Sequence, residues 1–285
     1  MKKLFIFLTA IILTITTLSG CAHKAPISNE KPVIAVSIIP EQAFAEAVCG
    51  DLAEVITLIP PGSSPANYEP TPQEQEKFNK ADIYFSIGVP TEETNILPNL
   101  NTNTKLVELA KEVSAVYPDL MLGKIRDPHI WLSPKRAMLM VKIIAREMSL
   151  LDPANQAIYQ KNADVYTAQL KALDLEITES LAATENKKFI VFHPAFGYLA
   201  EDYGIIMYAL EENGKEATAA HLREMIDFAK AEGIKIIFYQ AEIDSSQSAA
   251  FAEEIGGKAV QLAPLAYNYL ENLKDMANAI REAIK

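Results

Sequence analysis

Short apolar runs rich in β-branched residues alternate with helix-like segments along most of this chain, and that alternation limits the folds open to it. Near-continuous apolar strands separated by helices indicate parallel sheets with both faces covered. Before residue 152 the predicted strands are VIAVSII (33–39), EVITLI (54–59), IYFSIG (83–88) and KLVELA (105–110), with helices over 40–50 and 70–81. After residue 187 they are KFIVF (188–192), IIMYAL (205–210), KIIFY (235–239) and AVQLA (259–263), with helices over 218–233, 245–257 and 268–284.

The segment between these two sets of strands, residues 152–184, has apolar residues at helical spacing and no glycine. Asp152 is suited to cap a helix there, and Pro153 suits its first turn. At 1.5 Å per residue, about thirty residues give a helix roughly 45 Å long. We therefore predict an α/β protein of two parallel-sheet lobes, residues 33–151 and 187–285, joined by one long rigid helix. Ligands of such sheets bind outside the carboxyl ends of the strands, so a cleft between the lobes is the expected site.

The first twenty residues have the features of a signal peptide. Lys2 and Lys3 precede an apolar run at 4–18 that is too short for a comfortable membrane span. The run ends in LSGC, which resembles a bacterial lipobox, where the chain is cut before the cysteine and the cysteine carries the lipid. An ordinary signal peptide with an incidental cysteine is the alternative. We expect a mature chain that begins at Cys21, with residues 21–32 as a lipidated tether outside the cytoplasm.

The charge of the chain excludes some partners. It has 26 Lys and Arg against 37 Asp and Glu, a net charge of −11, and no run of basic residues. This argues against nucleic acid and against electrostatic binding to a membrane surface. Cys49 is the only cysteine besides Cys21, so lipidation of Cys21 leaves no intramolecular disulfide, and stability has to come from the core.

Three places in the sequence present side chains suited to a divalent metal. His129 lies in DPHIWLSP, where prolines restrict the backbone on both sides, and His193 follows the strand KFIVF directly before a proline. Glu242 and Asp244 follow the strand KIIFY, although Asp244 also suits the N-cap of the next helix. Each histidine has a structural alternative as a hydrogen-bonded residue without metal. Two imidazoles and a carboxylate are ligands that suit Zn²⁺.

The common signatures of hydrolases and nucleotide-binding proteins do not occur. The sequence has no HExxH, GxSxG, GxxxxGK[ST] or GxGxxG motif.

In this order, the motifs resemble those of the substrate-binding lipoproteins of zinc- and manganese-uptake ABC transporters, the cluster A-I receptors. The likeness covers nearly the whole mature chain: the lipobox, the loop PPGSSPANYEP (60–70), DPHIWLSP, FHPAFGYLAEDYGI and IFYQAEIDSSQSAAFAEEIGG. It implies two α/β lobes joined by a rigid helix, with one metal in the cleft. It also implies an extracytoplasmic receptor, lipid-anchored to the bacterial cell membrane, that delivers its metal to an ABC permease. We expect it to be a monomer.

The resemblance implies four ligand positions, one in each functional loop. The second matches His129 and the third matches His193. Manganese-type members typically have Glu at the third position, so His193 favours Zn²⁺, with Mn²⁺ as the alternative. The fourth position is an acidic residue of the last loop, which Asp244 matches best and Glu242 second.

At the first position this sequence departs from the pattern. Family members usually carry His after the loop proline, and here that residue is Ala66, which cannot bind a metal. Water, Glu41 or Glu69 would replace the missing ligand, with Asn67 ranked behind them. The alternatives are a site with three protein ligands and a protein that no longer binds metal.

Three functions follow from these observations. The leading one is a metal receptor that is not an enzyme. The second is a metal-dependent hydrolase, whose open coordination position Ala66 would supply. The third is a surface adhesion protein built on the same fold.

Overall fold

The computed structural model describes residues 31–211, 215–243 and 246–285. The predicted signal peptide, Cys21 and nearly all of the tether lie outside these ranges, as does Asp244. Residues 32–285 form one compact unit. Within the described ranges no helix is long and apolar enough to cross a membrane.

Two four-stranded parallel sheets organise the chain, as the alternation predicts. The first consists of β1 (Val33–Val36), β2 (Glu54–Thr57), β3 (Ile83–Ser86) and β4 (Lys105–Glu108), in the order β2-β1-β3-β4. A short antiparallel hairpin follows, with β5 (Met121–Leu122) and β6 (Ile125–Arg126), which the sequence did not suggest. The second sheet consists of β7 (Lys188–Val191), β8 (Ile206–Ala209), β9 (Ile236–Gln240) and β10 (Lys258–Leu262), in the order β10-β9-β7-β8.

Both sheets have the same topology. In each, the chain passes from the first strand to a neighbour on one side and then crosses to the other side for the third and fourth strands. The change of direction lies between β1 and β3 in the first lobe and between β7 and β9 in the second. Loops diverge at such a point and leave a crevice at the carboxyl ends of the strands.

Helices cover the sheets and join the lobes. The helices of the first lobe are α1 (Ile39–Cys49), α2 (Pro72–Phe78), α3 (Leu109–Ser114) and α4 (Pro134–Leu151). The connecting helix is α5 (Gln156–Ala182). The helices of the second lobe are α6 (Gly197–Tyr203), α7 (Ala219–Ala231), α8 (Ser246–Glu254) and α9 (Tyr269–Ala283). Shorter helical turns lie at Gly50–Leu52, Glu92–Ile96, Leu97–Asn99, Ile130–Leu132 and Pro153–Asn155.

The predicted connecting helix is confirmed, with a later start. A 3-10 turn at Pro153–Asn155 precedes α5, which then runs for 27 residues. α5 packs against α4, α1 and α9, so it belongs to the core instead of bridging open solvent. A connection held along its length in this way restricts hinge motion between the lobes.

The first strand is shorter than predicted. The backbone N–H groups of Ser37 and Ile38 donate to the Glu41 carboxylate, at 3.0 and 3.1 Å, instead of continuing the sheet. This contact turns the chain from β1 into α1 at Ile39. A carboxylate near the first turn of a helix is favoured because it accepts from N–H groups that have no partner within the helix.

Candidate metal centre

A cavity of about 430 Å³ lies between the lobes, and we call it the interlobe cavity. Ala66 and His129 line it from the first lobe, and His193, Glu211 and Glu242 line it from the second. His193 follows β7 and Glu242 follows β9, the two strands between which the second sheet changes direction. The cavity is therefore where an open α/β sheet is expected to bind its ligand.

His129 is held by a carboxylate that precedes it by two residues. Asp127 Oδ1 accepts from the His129 backbone N–H at 2.9 Å and lies 2.7 Å from its Nδ1. Asp127 is fully buried, and the Tyr198 hydroxyl donates to its carbonyl oxygen at 3.1 Å. Burial lowers the pKa of His129, while Asp127 acts in the opposite direction. The imidazole is therefore neutral near pH 7, which is the form that binds metals.

His193 has a matching partner on the next strand. Its Nδ1 contacts a carboxylate oxygen of Glu211, which lies just beyond the end of β8. β7 and β8 pair in parallel with Lys188 opposite Ile206 and Val191 opposite Ala209. Two residues further along the same register, His193 lies opposite Glu211. The pairing of β7 with β8 therefore brings the two side chains into contact.

The two imidazoles face each other through the nitrogens that remain. His129 Nε2 and His193 Nε2 lie 3.3 Å apart. A carboxylate accepts a hydrogen bond from the tautomer that carries its proton on Nδ1, and in that tautomer each Nε2 presents a lone pair to a metal. With Zn–N bonds of 2.0–2.1 Å, two ligands of a tetrahedral zinc ion lie about 3.3–3.4 Å apart. A cation bound by both imidazoles fits this spacing.

Glu242 adds a carboxylate to the same cavity. Its Oε2 is buried and has no hydrogen-bond partner among the described residues. Burial raises the pKa of Glu242. A cation would supply the missing interaction, since a buried carboxylate without a partner is costly. Within the described ranges no three His, Cys, Asp or Glu side chains already surround one point.

The predicted substitutes for the missing first ligand lie elsewhere. Ala66 lines the interlobe cavity, but Asn67 and Glu69 are exposed and do not. Glu41 is buried in the first turn of α1, where it accepts from two backbone N–H groups, and it does not line the cavity either. His129, His193 and Glu242 thus line the interlobe cavity, and only the two histidines are in direct contact, whereas Glu41, Asn67 and Glu69 lie outside it.

Glu41 is part of a buried pair of carboxyl groups with Glu92. Glu92 accepts from the backbone N–H groups of Ile87 and Gly88, at 2.9 and 2.7 Å, and from the Ser37 hydroxyl. Burial raises the pKa of both Glu41 and Glu92, and the charge of Glu92 adds to the effect on Glu41. Each of the two carboxyl groups therefore keeps its proton up to a higher pH in the folded chain than in the unfolded chain.

This pair should make stability fall as the pH rises. A carboxyl group whose pKa is raised on folding adds to the stability of the folded state. That contribution is complete below the pKa of the group in the unfolded chain, near 4.5 for Glu41, and it is lost as the pH rises through the pKa of the folded state. Glu41→Gln, which cannot ionise, should flatten this dependence. Between pH 5 and pH 8, the unfolding free energy of the wild type should fall relative to that of the variant by about 1 kcal/mol or more. Urea unfolding at both pH values measures this, and parallel pH profiles for the two proteins contradict it.

The similarity of this chain to known proteins identifies its family. The family described as "ZnuA: Zinc-uptake complex component A periplasmic" matches residues 34–283. This chain belongs to that family. The resemblance noted in the sequence is confirmed, as is the α/β fold with two parallel sheets and a long helix.

Individual members of the ZnuA family agree with this assignment. The chain is 27% identical to the high-affinity zinc uptake system protein ZnuA of Bacillus subtilis (strain 168) over 93% of its own length and 92% of that protein's. A crystal structure of ZnuA matches with a TM-score of 0.85 and 35% identity, covering 90% of this chain and 100% of that one. The laminin-binding protein Lmb of Streptococcus agalactiae, described as bifunctional with adhesin and metal transporting activity, matches at 25% identity and a TM-score of 0.81, covering 90% and 100%.

ZnuA-family proteins are solute-binding proteins for metal uptake, so the prediction that this chain is not an enzyme is confirmed. The hydrolase alternative is not supported. Zinc as the bound metal also agrees with the family.

The carboxylate behind His129 gives a direct test of how the site is held. Asp127→Asn keeps the size of the side chain but places an amide beside Nδ1, so the imidazole is no longer fixed with its lone pair on Nε2. We expect about 10–100-fold weaker Zn²⁺ binding, the usual cost of losing a partner of a metal-binding histidine. Competition with a chromophoric zinc indicator measures the change. Asp119→Asn, the same substitution on an exposed residue, is the control, and equal affinities for the two variants contradict the role of Asp127.

Proposed function

We propose that this protein captures Zn²⁺ outside the cytoplasm and delivers it to an ABC permease, with Mn²⁺ as the less favoured cation. The observation that carries the proposal is the pair of Nε2 atoms 3.3 Å apart, each on an imidazole whose Nδ1 is held by a carboxylate. Neutral imidazole suits Zn²⁺, whereas carboxylate and carbonyl oxygens suit Mn²⁺. Glu242 supports the site as a further ligand, and Asp244, outside the described residues, stays a predicted one.

No covalent chemistry is involved, so uptake consists of binding and release. Contacts between the lobes hold the loop of His129 in place: Arg136 contacts Asp202 and Glu201 at 3.2 Å each. Together with the packing of α5 against α4, α1 and α9, they favour release through local loop shifts over a wide hinge opening. Contact with the permease is the event we expect to cause such a shift.

The anchor and the oligomeric state belong to the same proposal. A lipid on Cys21 would keep a monomeric receptor close to its permease, with residues 21–32 as the tether. Fractionation of cells that express wild type or Cys21→Ser tests the anchor. A variant that stays in the membrane fraction argues against lipidation at this residue.

The metal itself is tested by titration. The purified protein, stripped of metal, is titrated with Zn²⁺ and with Mn²⁺ by isothermal calorimetry, in a buffer that does not bind either ion. We expect one Zn²⁺ per chain, bound at least about tenfold more tightly than Mn²⁺, a difference of about 1.4 kcal/mol. The absence of saturable Zn²⁺ binding overturns the proposal, and tighter binding of Mn²⁺ reverses the choice of metal.

A further inference from the structure

We propose that this site accepts zinc together with a small organic chelator, a molecule with one nitrogen donor, one carboxylate donor and an apolar or aromatic body. The proposal rests on the proposed function, because it adds a second component to the same metal site. Its basis is the juxtaposition of the paired imidazoles with an apolar cavity wall at Ala66.

The size of the interlobe cavity is the first observation. Its volume of about 430 Å³ falls in the range of about 300–1,000 Å³ that is typical of sites for small organic molecules. A water molecule takes up only about 30 Å³ in the liquid. A zinc ion with one or two waters would therefore leave most of the cavity for another occupant.

The chemistry of the wall is the second observation. Apart from His129, the described residues that line the cavity from the first lobe are almost all apolar, among them Pro65, Ala66, Val89 and Leu122. The Ser64 hydroxyl on this side already accepts from the Ala66 backbone N–H at 3.3 Å. Water bound to zinc is a strong hydrogen-bond donor, and carbon offers it no acceptor. A chelator instead directs its donor atoms to the metal and its carbon atoms to this wall.

The open coordination position sets the type of chelator. His129, His193 and Glu242, whose Oε2 has no partner among the described residues, would supply three ligands. The nitrogen of the chelator would take the position that no imidazole occupies at Ala66, and its carboxylate oxygen would bind as the fifth ligand. Zinc accepts four ligands readily and expands to five.

Picolinate and glycine form a matched pair of probes for this idea. Both offer one nitrogen and one carboxylate, but only picolinate has an aromatic ring to contact the apolar wall. Each is titrated by calorimetry into the zinc-loaded protein and into the zinc-free protein, and native mass spectrometry identifies the species formed. We expect a ternary complex of protein, zinc and picolinate, with picolinate bound at least about tenfold more tightly than glycine. The zinc-free protein should bind neither probe.

The variant Ala66→His tests the vacancy directly. Ala66 lies in an exposed loop, and an imidazole there would fill the open position. We expect this variant to bind zinc alone at least about tenfold more tightly and picolinate at least about tenfold more weakly than wild type. Ala115→His, the same substitution at an exposed residue outside the cavity, should match wild type in both measurements.

Three results would overturn the chelator proposal. They are zinc-loaded protein that does not bind picolinate, picolinate that removes zinc from the protein instead of joining it, and equal picolinate binding by Ala66→His and wild type. Each of these leaves zinc binding by the protein intact. Failure of the protein to load zinc at all overturns the proposed function instead, so the two failures are distinguishable.

Discussion

Replacing His129 by alanine should weaken Zn²⁺ binding about a hundredfold or more, equivalent to about 2.8 kcal/mol or more of binding free energy. The substitution removes one of two imidazoles whose Nε2 atoms lie 3.3 Å apart. His193 is then the only one of the two imidazoles left to bind the metal. The cavity wall beside it is largely apolar, so no described side chain nearby replaces the lost nitrogen.

The control has to separate metal binding from folding, because His129→Ala also leaves the buried Asp127 carboxylate without its Nδ1 contact. Loss of one partner of a buried charge destabilises a protein. His129→Gln keeps a side chain that can donate to Asp127 but offers no imidazole, so it should retain more stability than the alanine variant. It should still bind zinc far more weakly than wild type.

Zinc affinity is measured by competition with a chromophoric indicator, and folding by circular dichroism on the metal-free proteins. His221→Ala removes an imidazole that does not line the interlobe cavity, and its zinc affinity should equal that of wild type. An affinity of His129→Ala within about tenfold of wild type would show that the metal is bound somewhere else.

The sequence was sufficient for the fold because its strongest signals are local. Apolar runs of strand length, separated by helical spacing, specify parallel sheets whatever their partners are. The end of β1 was harder to predict, because the contact of Glu41 with the N–H groups of Ser37 and Ile38 decides it. Glu41 was a candidate ligand because its carboxylate oxygen could approach a cleft, but in the structure that carboxylate contacts the backbone beside it and does not line the cavity.

Only part of the candidate metal site could be predicted from the sequence. His129 and His193 stand out because prolines and a strand end present them, but their carboxylate partners do not. Glu211 becomes a partner of His193 through the pairing of β7 with β8, at a separation of 18 residues. This contact depends on which strands are neighbours in the sheet, and the order of the strands cannot be predicted from a single sequence. Asp127 precedes His129 by only two residues, but its contacts with the His129 backbone N–H and Nδ1 depend on the conformation of the folded loop.

Trp131 contributes both to the stability of the fold and to the position of His129. Of the substitutions considered, Trp131→Ala should cause the largest loss of unfolding free energy. The side chain is 2% exposed, and its Nε1 donates to the Pro264 carbonyl oxygen at 2.9 Å. The Tyr269 hydroxyl donates to the Trp131 carbonyl oxygen at 2.5 Å. Pro264 and Tyr269 follow β10, so this tryptophan joins the loop of His129 to the second lobe. Its ring also packs beside the His129 ring, with centroids 5.2 Å apart.

We expect Trp131→Ala to lower the unfolding free energy by about 3–5 kcal/mol, the usual range for a buried aromatic replaced by alanine. Trp131→Phe keeps a ring but leaves the Pro264 carbonyl without its donor, which should cost about 1–2 kcal/mol. Because Trp131 is the only tryptophan of the chain, unfolding in urea is followed by circular dichroism instead of fluorescence. The difference between the two variants separates packing from the hydrogen bond. A loss below about 1 kcal/mol for Trp131→Ala, well under the range for such a replacement, would mean that this contact does not hold the lobes together.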